Sequence, residues 1–160
     1  MAGPSSKPLG KPVRVGLFVT CLADLFRPAV AQATVTLLEQ FGCEVDVPTQ
    51  SCCGQPAYNS GESDKTRALA LNFSSQFSDF DYIVAPSGSC AAMVRCHYPE
   101  LFPEDSEERT RVQSVADKTW ELSQFLLDVL QIDMAGESSH ESAADFRIGH
   151  FTDFDVSHPL

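Results

Sequence analysis

Short runs of β-branched and apolar residues alternate with stretches of helical periodicity, and this alternation constrains the fold more than any other feature of the chain. Val13 to Thr20 (VRVGLFVT), flanked by Pro12 and Cys21, reads as a buried strand. Arg27-Pro28 opens a helix to about Phe41, with Pro28 suited to the first turn and Gly42 to the stop. Val30, Ala33, Val35, Leu37, Leu38 and Phe41 form its apolar face. Cys43 to Pro48 (CEVDVP) is a second, shorter strand, and Thr49 to Asn59 is a loop. Ser60 to about Phe77 is helical. Asp81 to Ala85 (DYIVA) is a third strand, closed by the tight turn Pro86-Ser87-Gly88-Ser89, with a short helix starting near Cys90. Glu100 to Glu108 suits an acidic surface loop, and Val112 to Ile132 carries apolar residues at helical spacing. Strands alternating with helices imply βαβ units, hence an α/β fold: a small parallel sheet with flanking helices, Rossmann-like in outline.

At 160 residues and 43% hydrophobic content the chain can bury one real core. Residues 1–12 read as a disordered arm, 13–135 as the folded domain and 136–160 as an atypical tail. In that tail a strand at Phe146 to Phe151 is the one element expected. The arm has no apolar stretch of the kind a secretory signal needs, and no run approaches the length that spans a bilayer. A cytoplasmic location is the expectation. The net charge of −11 argues against nucleic acid or an anionic membrane surface as partner, since both require clustered Lys and Arg.

A reducing compartment changes the meaning of six cysteines, because metal binding or redox chemistry then outranks a disulfide framework. Their placement is more informative than their number. Cys21 ends the first strand, Cys90 lies just past the third, and Cys52 and Cys53 sit in the loop after the second. An open parallel sheet delivers such segments to the carboxyl edge of its strands, where ligands bind. Four thiolates there suit either a tetrahedral zinc or an iron–sulfur centre. Gly54, Gly88 and the small residues Ser87, Ser89, Ala91 and Ala92 let the backbone approach a bulky inorganic group, and their amides can hydrogen-bond its sulfurs. Cys90 at a helix start is expected to have a depressed pKa.

Other residues read differently. Cys43, at a strand start, is a small core hydrophobe. Cys96 and His97 are incidental neighbours on the Cys90 helix. Asp24 and Asp46 are solvated or capping groups, and His140, His150 and His158 have no fixed scaffold on which to build a zinc site. Tyr58 and Asn59 either line the cysteine site or shape its turn. A rival reading makes Cys53 or Cys90 a nucleophile with His97 as base, which requires the base within hydrogen-bond reach. No G-x-G-x-x-G follows the first strand, so no hydride cofactor is indicated.

The segments FVTCLADLFRP (Phe18 to Pro28), LEQFGCEVDVP (Leu38 to Pro48), CCGQPAYNSG (Cys52 to Gly61), PSGSC (Pro86 to Cys90) and ADKTWELSQFL (Ala116 to Leu126) carry a resemblance. Together they resemble the cysteine-rich CCG domain family, which occurs in heterodisulfide reductase and in the iron–sulfur component of glycolate oxidase; the likeness is strongest to its lactate-utilisation branch. It runs from Val13 to about Leu130. The resemblance implies an electron-transfer subunit in the oxidation of L-lactate to pyruvate, acting with other iron–sulfur and companion subunits. It implies an iron–sulfur cluster of the 4Fe–4S type, with zinc as the alternative, on Cys21, Cys52, Cys53 and Cys90. The family's fifth cysteine position falls on Met93, a thioether and a poorer iron ligand. Two-domain members continue into a second CCG domain, so the chain is expected to hold only the first, followed by a truncated or frame-altered tail. The alternative reading is a zinc-bound or metal-free interaction module that lost its redox role with the second domain.

Overall fold

The computed structural model describes residues 12–20 and 28–132. The expectations for the N-terminal arm, for Cys21, Asp24 and Arg27, and for the tail with its strand at Phe146 to Phe151 lie outside the described residues.

Four parallel strands form one sheet in the order β2-β1-β3-β4: β1 (Val13–Leu17), β2 (Cys43–Asp46), β3 (Tyr82–Ala85) and β4 (Thr119–Glu121). The register pairs Val13 with Cys43 across β1 and β2, Leu17 with Val84 across β1 and β3, and Ala85 with Glu121 across β3 and β4. The N–H of Phe18 donates to the Val84 carbonyl at 2.8 Å, carrying the contact one residue past β1. The parallel α/β architecture is thus the one the alternation of elements implied.

Each sheet face is covered by helices, which is why the central strands are apolar on both sides. On one face Phe18, Ile83 and Ala85 pack with α3 (Ser63–Phe77), α6 (Glu107–Asp117) and the segment from Gly88 to Phe102. On the other, Val15 and Val84 meet Leu38 of α1 (Pro28–Gln40), together with Phe125 and Leu126. Cys43 is buried in this second cluster, as its reading as a core hydrophobe expects. Gly16 sits where β1 passes Phe80: a Cβ there would lie 2.7 Å from the Phe80 ring. Only a residue without a side chain lets that ring close over the strand.

Three expectations need correction. The apolar face read on α1 is not the buried one, since Val30, Ala33 and Phe41 are exposed while Thr34 and Leu38 are buried. The loop from Thr49 to Asn59 contains a short helix, α2 (Gln55–Asn59), which starts because Gly54 turns the chain at φ 82° and Pro56 is set for a first helical turn. The helix read across Val112 to Ile132 is two elements with a strand between them. α6 stops at Asp117, Lys118 leaves the helical region, and Thr119–Glu121 pairs with β3 before helix resumes at Leu122. Three residues are too few for a period of two to show against helical spacing on either side.

α3 begins at Ser63, after Gly61 has turned the chain at φ 75°, and α6 begins at Glu107, capped by the Ser106 hydroxyl, which accepts from the Arg109 N–H at 3.1 Å. The segment after β3 runs as α4 (Gly88–Ala92), a π-helical turn (Met93–His97) and α5 (Tyr98–Glu100). π-helical turns recur at functional sites, and this one starts three residues after Cys90. No helix among the described residues is long and apolar enough to cross a membrane.

Candidate metal centre

The order β2-β1-β3-β4 places the reversal of winding between β1 and β3, and the crevice at their carboxyl ends is where such sheets bind ligands. Cys90 reaches this edge because Pro86 and Ser87 break β3 and α4 starts at Gly88. Cys53 reaches it through the loop after β2. Gln50 anchors that loop by donating to the Leu17 and Pro48 carbonyls, each at 3.2 Å.

The two sulfurs meet there. Cys53 Sγ lies 3.6 Å from Cys90 Sγ, across 37 residues of sequence, and donates a hydrogen bond to it. Both side chains are buried, in the cluster that also contains Phe18, Met93 and Tyr98. The shared proton separates their titrations. Cys90 is lowered to about 6, chiefly by the hydrogen bond from Cys53, with help from the Ser87 and Ser89 hydroxyls and against the effect of burial. Cys53 is raised, by the same hydrogen bond and by burial. The sequence led us to expect a depressed Cys90 pKa from a helix start; the direction holds, but the main cause is the partner thiol.

Cys52 is half-buried, and the Gly54 N–H donates to its sulfur at 3.5 Å. Gly54 is needed on two counts. Its φ of 82° is the left-handed region, and a Cβ there would stand 3.2 Å from Leu69 Cδ1. At Gly88, by contrast, a Cβ would meet nothing within 4 Å, so the fold imposes no steric demand for glycine there. The fifth family position, Met93, is 1% exposed in the same core cluster.

Tyr98 carries no motif and no informative spacing, and sequence reasoning missed it. It is fully buried, and its hydroxyl donates to the Cys53 carbonyl at 2.9 Å. Burial first, then the neighbouring Cys53, Cys52 and Cys90, hold its phenol well above the ordinary range, so it remains a donor. The one signal available was general: a buried tyrosine must find a hydrogen-bond partner.

His97 stacks beside Tyr58 with ring centroids 4.7 Å apart, and its Nδ1 lies 3.2 Å from the Tyr58 hydroxyl and 3.5 Å from a Glu100 carboxylate oxygen. That nitrogen is engaged at the surface, and among the described residues no hydrogen bond joins the ring to Cys53 or Cys90. The thiol-enzyme reading therefore lacks its base. Cys96 is exposed, and no disulfide occurs among the described residues.

The donor chemistry suits a soft metal. Two thiolates on one tetrahedral ion, with metal–sulfur bonds of about 2.3 Å, stand about 3.8 Å apart, close to the 3.6 Å between Cys53 and Cys90. Among the described residues no three His, Cys, Asp or Glu side chains are grouped closely enough to hold a metal ion. Cys21, the remaining expected donor, lies outside them.

Known proteins are similar to this chain. Residues 15–95 match the family described as a cysteine-rich domain, CCG. Lactate utilization protein A of Geobacillus kaustophilus is 48% identical over 141 residues, which is 88% of this chain and 59% of that protein. The protein of the same name from Macrococcus caseolyticus is 50% identical over 125 residues, 78% of this chain and 51% of the relative. For Shouchella clausii the figures are 49% over 132 residues, 82% and 55%. The chain thus spans between half and three-fifths of the length of these relatives. No solved structure matches it significantly.

Proposed function

The chain belongs to the cysteine-rich CCG domain family, and on that premise we propose that it is an iron–sulfur subunit of a system that oxidises L-lactate to pyruvate. The observation that carries the reading is the approach of Cys53 and Cys90 to 3.6 Å at the carboxyl edge of the sheet. The contact brings two soft donors from separate loops to one place at the edge where such sheets bind ligands. The relatives are named for lactate utilization, which supports lactate as the substrate of the whole system; in this reading the companions are other iron–sulfur and partner subunits, in the cytoplasm.

In this reading Cys21, Cys52, Cys53 and Cys90 hold the centre. A bound iron–sulfur group supplies one-electron transfer, which the protein's own side chains do not offer. The chain's residues do the rest. Cys90 enters as a thiolate and Cys53 gives up its proton on binding. The Gly54 amide faces the sulfur of Cys52, while Phe18, Met93 and Tyr98 keep water from the buried side of the pair. Gly88, beside Cys90, leaves open space on the exposed side.

The test is anaerobic expression with measurement of iron, sulfide and visible absorption, for the parent chain and for Cys21→Ser, Cys52→Ser, Cys53→Ser and Cys90→Ser. Loss of iron and of charge-transfer absorption is expected in each variant. Full iron content in all four would sink the assignment. The second reading, a zinc-bound or metal-free interaction module, draws on the match between the Cys53–Cys90 spacing and two thiolates on one tetrahedral ion. Zinc or no metal, without charge-transfer absorption, would favour it.

A further inference from the structure

We infer that Tyr98 is a positioning residue that acts through the Cys53–Gly54 peptide to aim an N–H at the sulfur of Cys52. Both ends of that one peptide unit are engaged. Its carbonyl, on Cys53, accepts from the Tyr98 hydroxyl at 2.9 Å, and its N–H, on Gly54, donates to Cys52 Sγ at 3.5 Å. The unit is planar and rigid, so fixing the carbonyl fixes the direction of the N–H. Accepting a hydrogen bond at oxygen also strengthens the donor at nitrogen, because hydrogen bonds in a chain polarise one another.

The backbone is built to permit this. Gly54 adopts φ 82°, and that turn sends the chain into α2 while its N–H stays directed back at Cys52. Tyr98 comes from the opposite side, 45 residues away in sequence, as the first residue after the π-helical turn that follows Cys90. Its ring is locked edge-on against Phe73 at 5.6 Å between centroids. The phenol is therefore a fixed point from which the loop bearing two cysteines is oriented. The segment bearing Cys90 thus sets the hydrogen bonding of the loop bearing Cys52 and Cys53.

The last step rests on the metal-binding reading of Cys52 given above. An N–H donated to a ligand sulfur stabilises the more electron-rich state, so it raises the reduction potential of the centre. Removing the Tyr98 hydroxyl weakens that donor and lowers the potential.

The first arm of the test needs no metal. In the isotope-labelled metal-free chain, Tyr98→Phe is expected to move the Gly54 amide proton upfield and to speed its hydrogen exchange several-fold. Fluorotyrosine at position 98, a stronger donor of nearly the same size, is expected to move it downfield. Tyr58→Phe, which removes a hydroxyl on the surface side of the same loop, is expected to leave it in place. An unmoved Gly54 amide in both position-98 variants overturns the inference. If Tyr98→Phe fails to fold, the fluorotyrosine chain decides it alone. In the second arm, the reconstituted Tyr98→Phe protein is expected to hold the same iron as the parent at a lower midpoint potential. Equal potentials at equal iron overturn the tuning role. A parent chain that takes up no iron overturns the metal reading and leaves the Gly54 result standing.

Discussion

The sulfur of Cys53 donates a hydrogen bond to the sulfur of Cys90 at 3.6 Å, and this contact makes the two thiols a single titrating unit. The contact favours the charged form at Cys90 and the protonated form at Cys53. Neither assignment follows from the position of either residue in the chain, since both depend on the other being there.

The pair predicts a pH profile for the metal-free protein. Cys90 is lowered to about 6 from an ordinary 9.0, so its contribution to stability is present above pH 9.0 and is lost as the pH falls through about 6. Cys53 is raised, so its contribution is present below its ordinary 9.0 and is lost at higher pH. Between these limits the folded pair binds one proton and the unfolded pair two. Stability from the pair therefore rises from about pH 6 to about pH 9 and falls beyond it. Urea denaturation across that range is expected to show the rise in the parent and not in Cys90→Ser. In Cys53→Ala the thiolate absorbance step of Cys90 is expected to move up toward 9.0; a step that stays near 6 would show that Cys53 is not its cause.

Gly54→Ala is expected to destabilise the chain by about 1–2 kcal/mol, the cost of placing a residue with a Cβ in the left-handed region. The contact with Leu69 adds to this. Chemical denaturation measures it, and Leu69→Ala in the same background should recover none of the φ cost. A variant as stable as the parent would mean that the loop has another conformation.

Gly16→Ala tests the closure of Phe80 over β1. A methyl group 2.7 Å from the ring forces the Phe77 and Phe80 side chains to shift, and overpacking of this kind costs about 1–3 kcal/mol. Phe80→Leu is expected to be less damaging in the Gly16→Ala background than in the parent, because the smaller side chain yields the space. Additive losses in the double-mutant cycle would contradict the contact.

Cys43 and Cys96 serve as controls on the cysteine assignment. Cys43→Ala should lower stability by about 1 kcal/mol, the ordinary cost of trimming a buried side chain, with iron content unchanged. Cys96→Ser, at an exposed position, should change neither. Loss of iron in either variant would require a different ligand set.

The sheet was legible because parallel strands covered on both faces are largely apolar, as Tyr82 to Ala85 is and as Val13 to Leu17 is apart from the exposed Arg14. The helix starting at Pro28 was legible from its start and stop signals and Cys43 from its place at a strand start, but the buried face of that helix was not, because Leu38 and Thr34 are buried while Val30, Ala33 and Phe41 are exposed. β4 was not, because three residues inside a helical pattern carry no period of their own, and only pairing with β3 identifies them. α2 was hidden by loop composition, although Gly54 and Pro56 supply both of its starting signals.

For the candidate site the division is equally physical. Residue types alone nominate groups with the chemistry of ligands, and the strand order implied by the alternation of elements points Cys52, Cys53 and Cys90 toward one edge of the sheet. Covalent identity and the period of each element are enough for that. It took the packed molecule to establish that Cys53 protonates toward Cys90, that Tyr98 grips the peptide between Cys53 and Gly54, and that His97 turns to Tyr58 rather than to a thiol. Those are hydrogen bonds between groups 37, 45 and 39 residues apart. Their geometry is set by how the helices seat on the sheet, and no local stretch of sequence contains it.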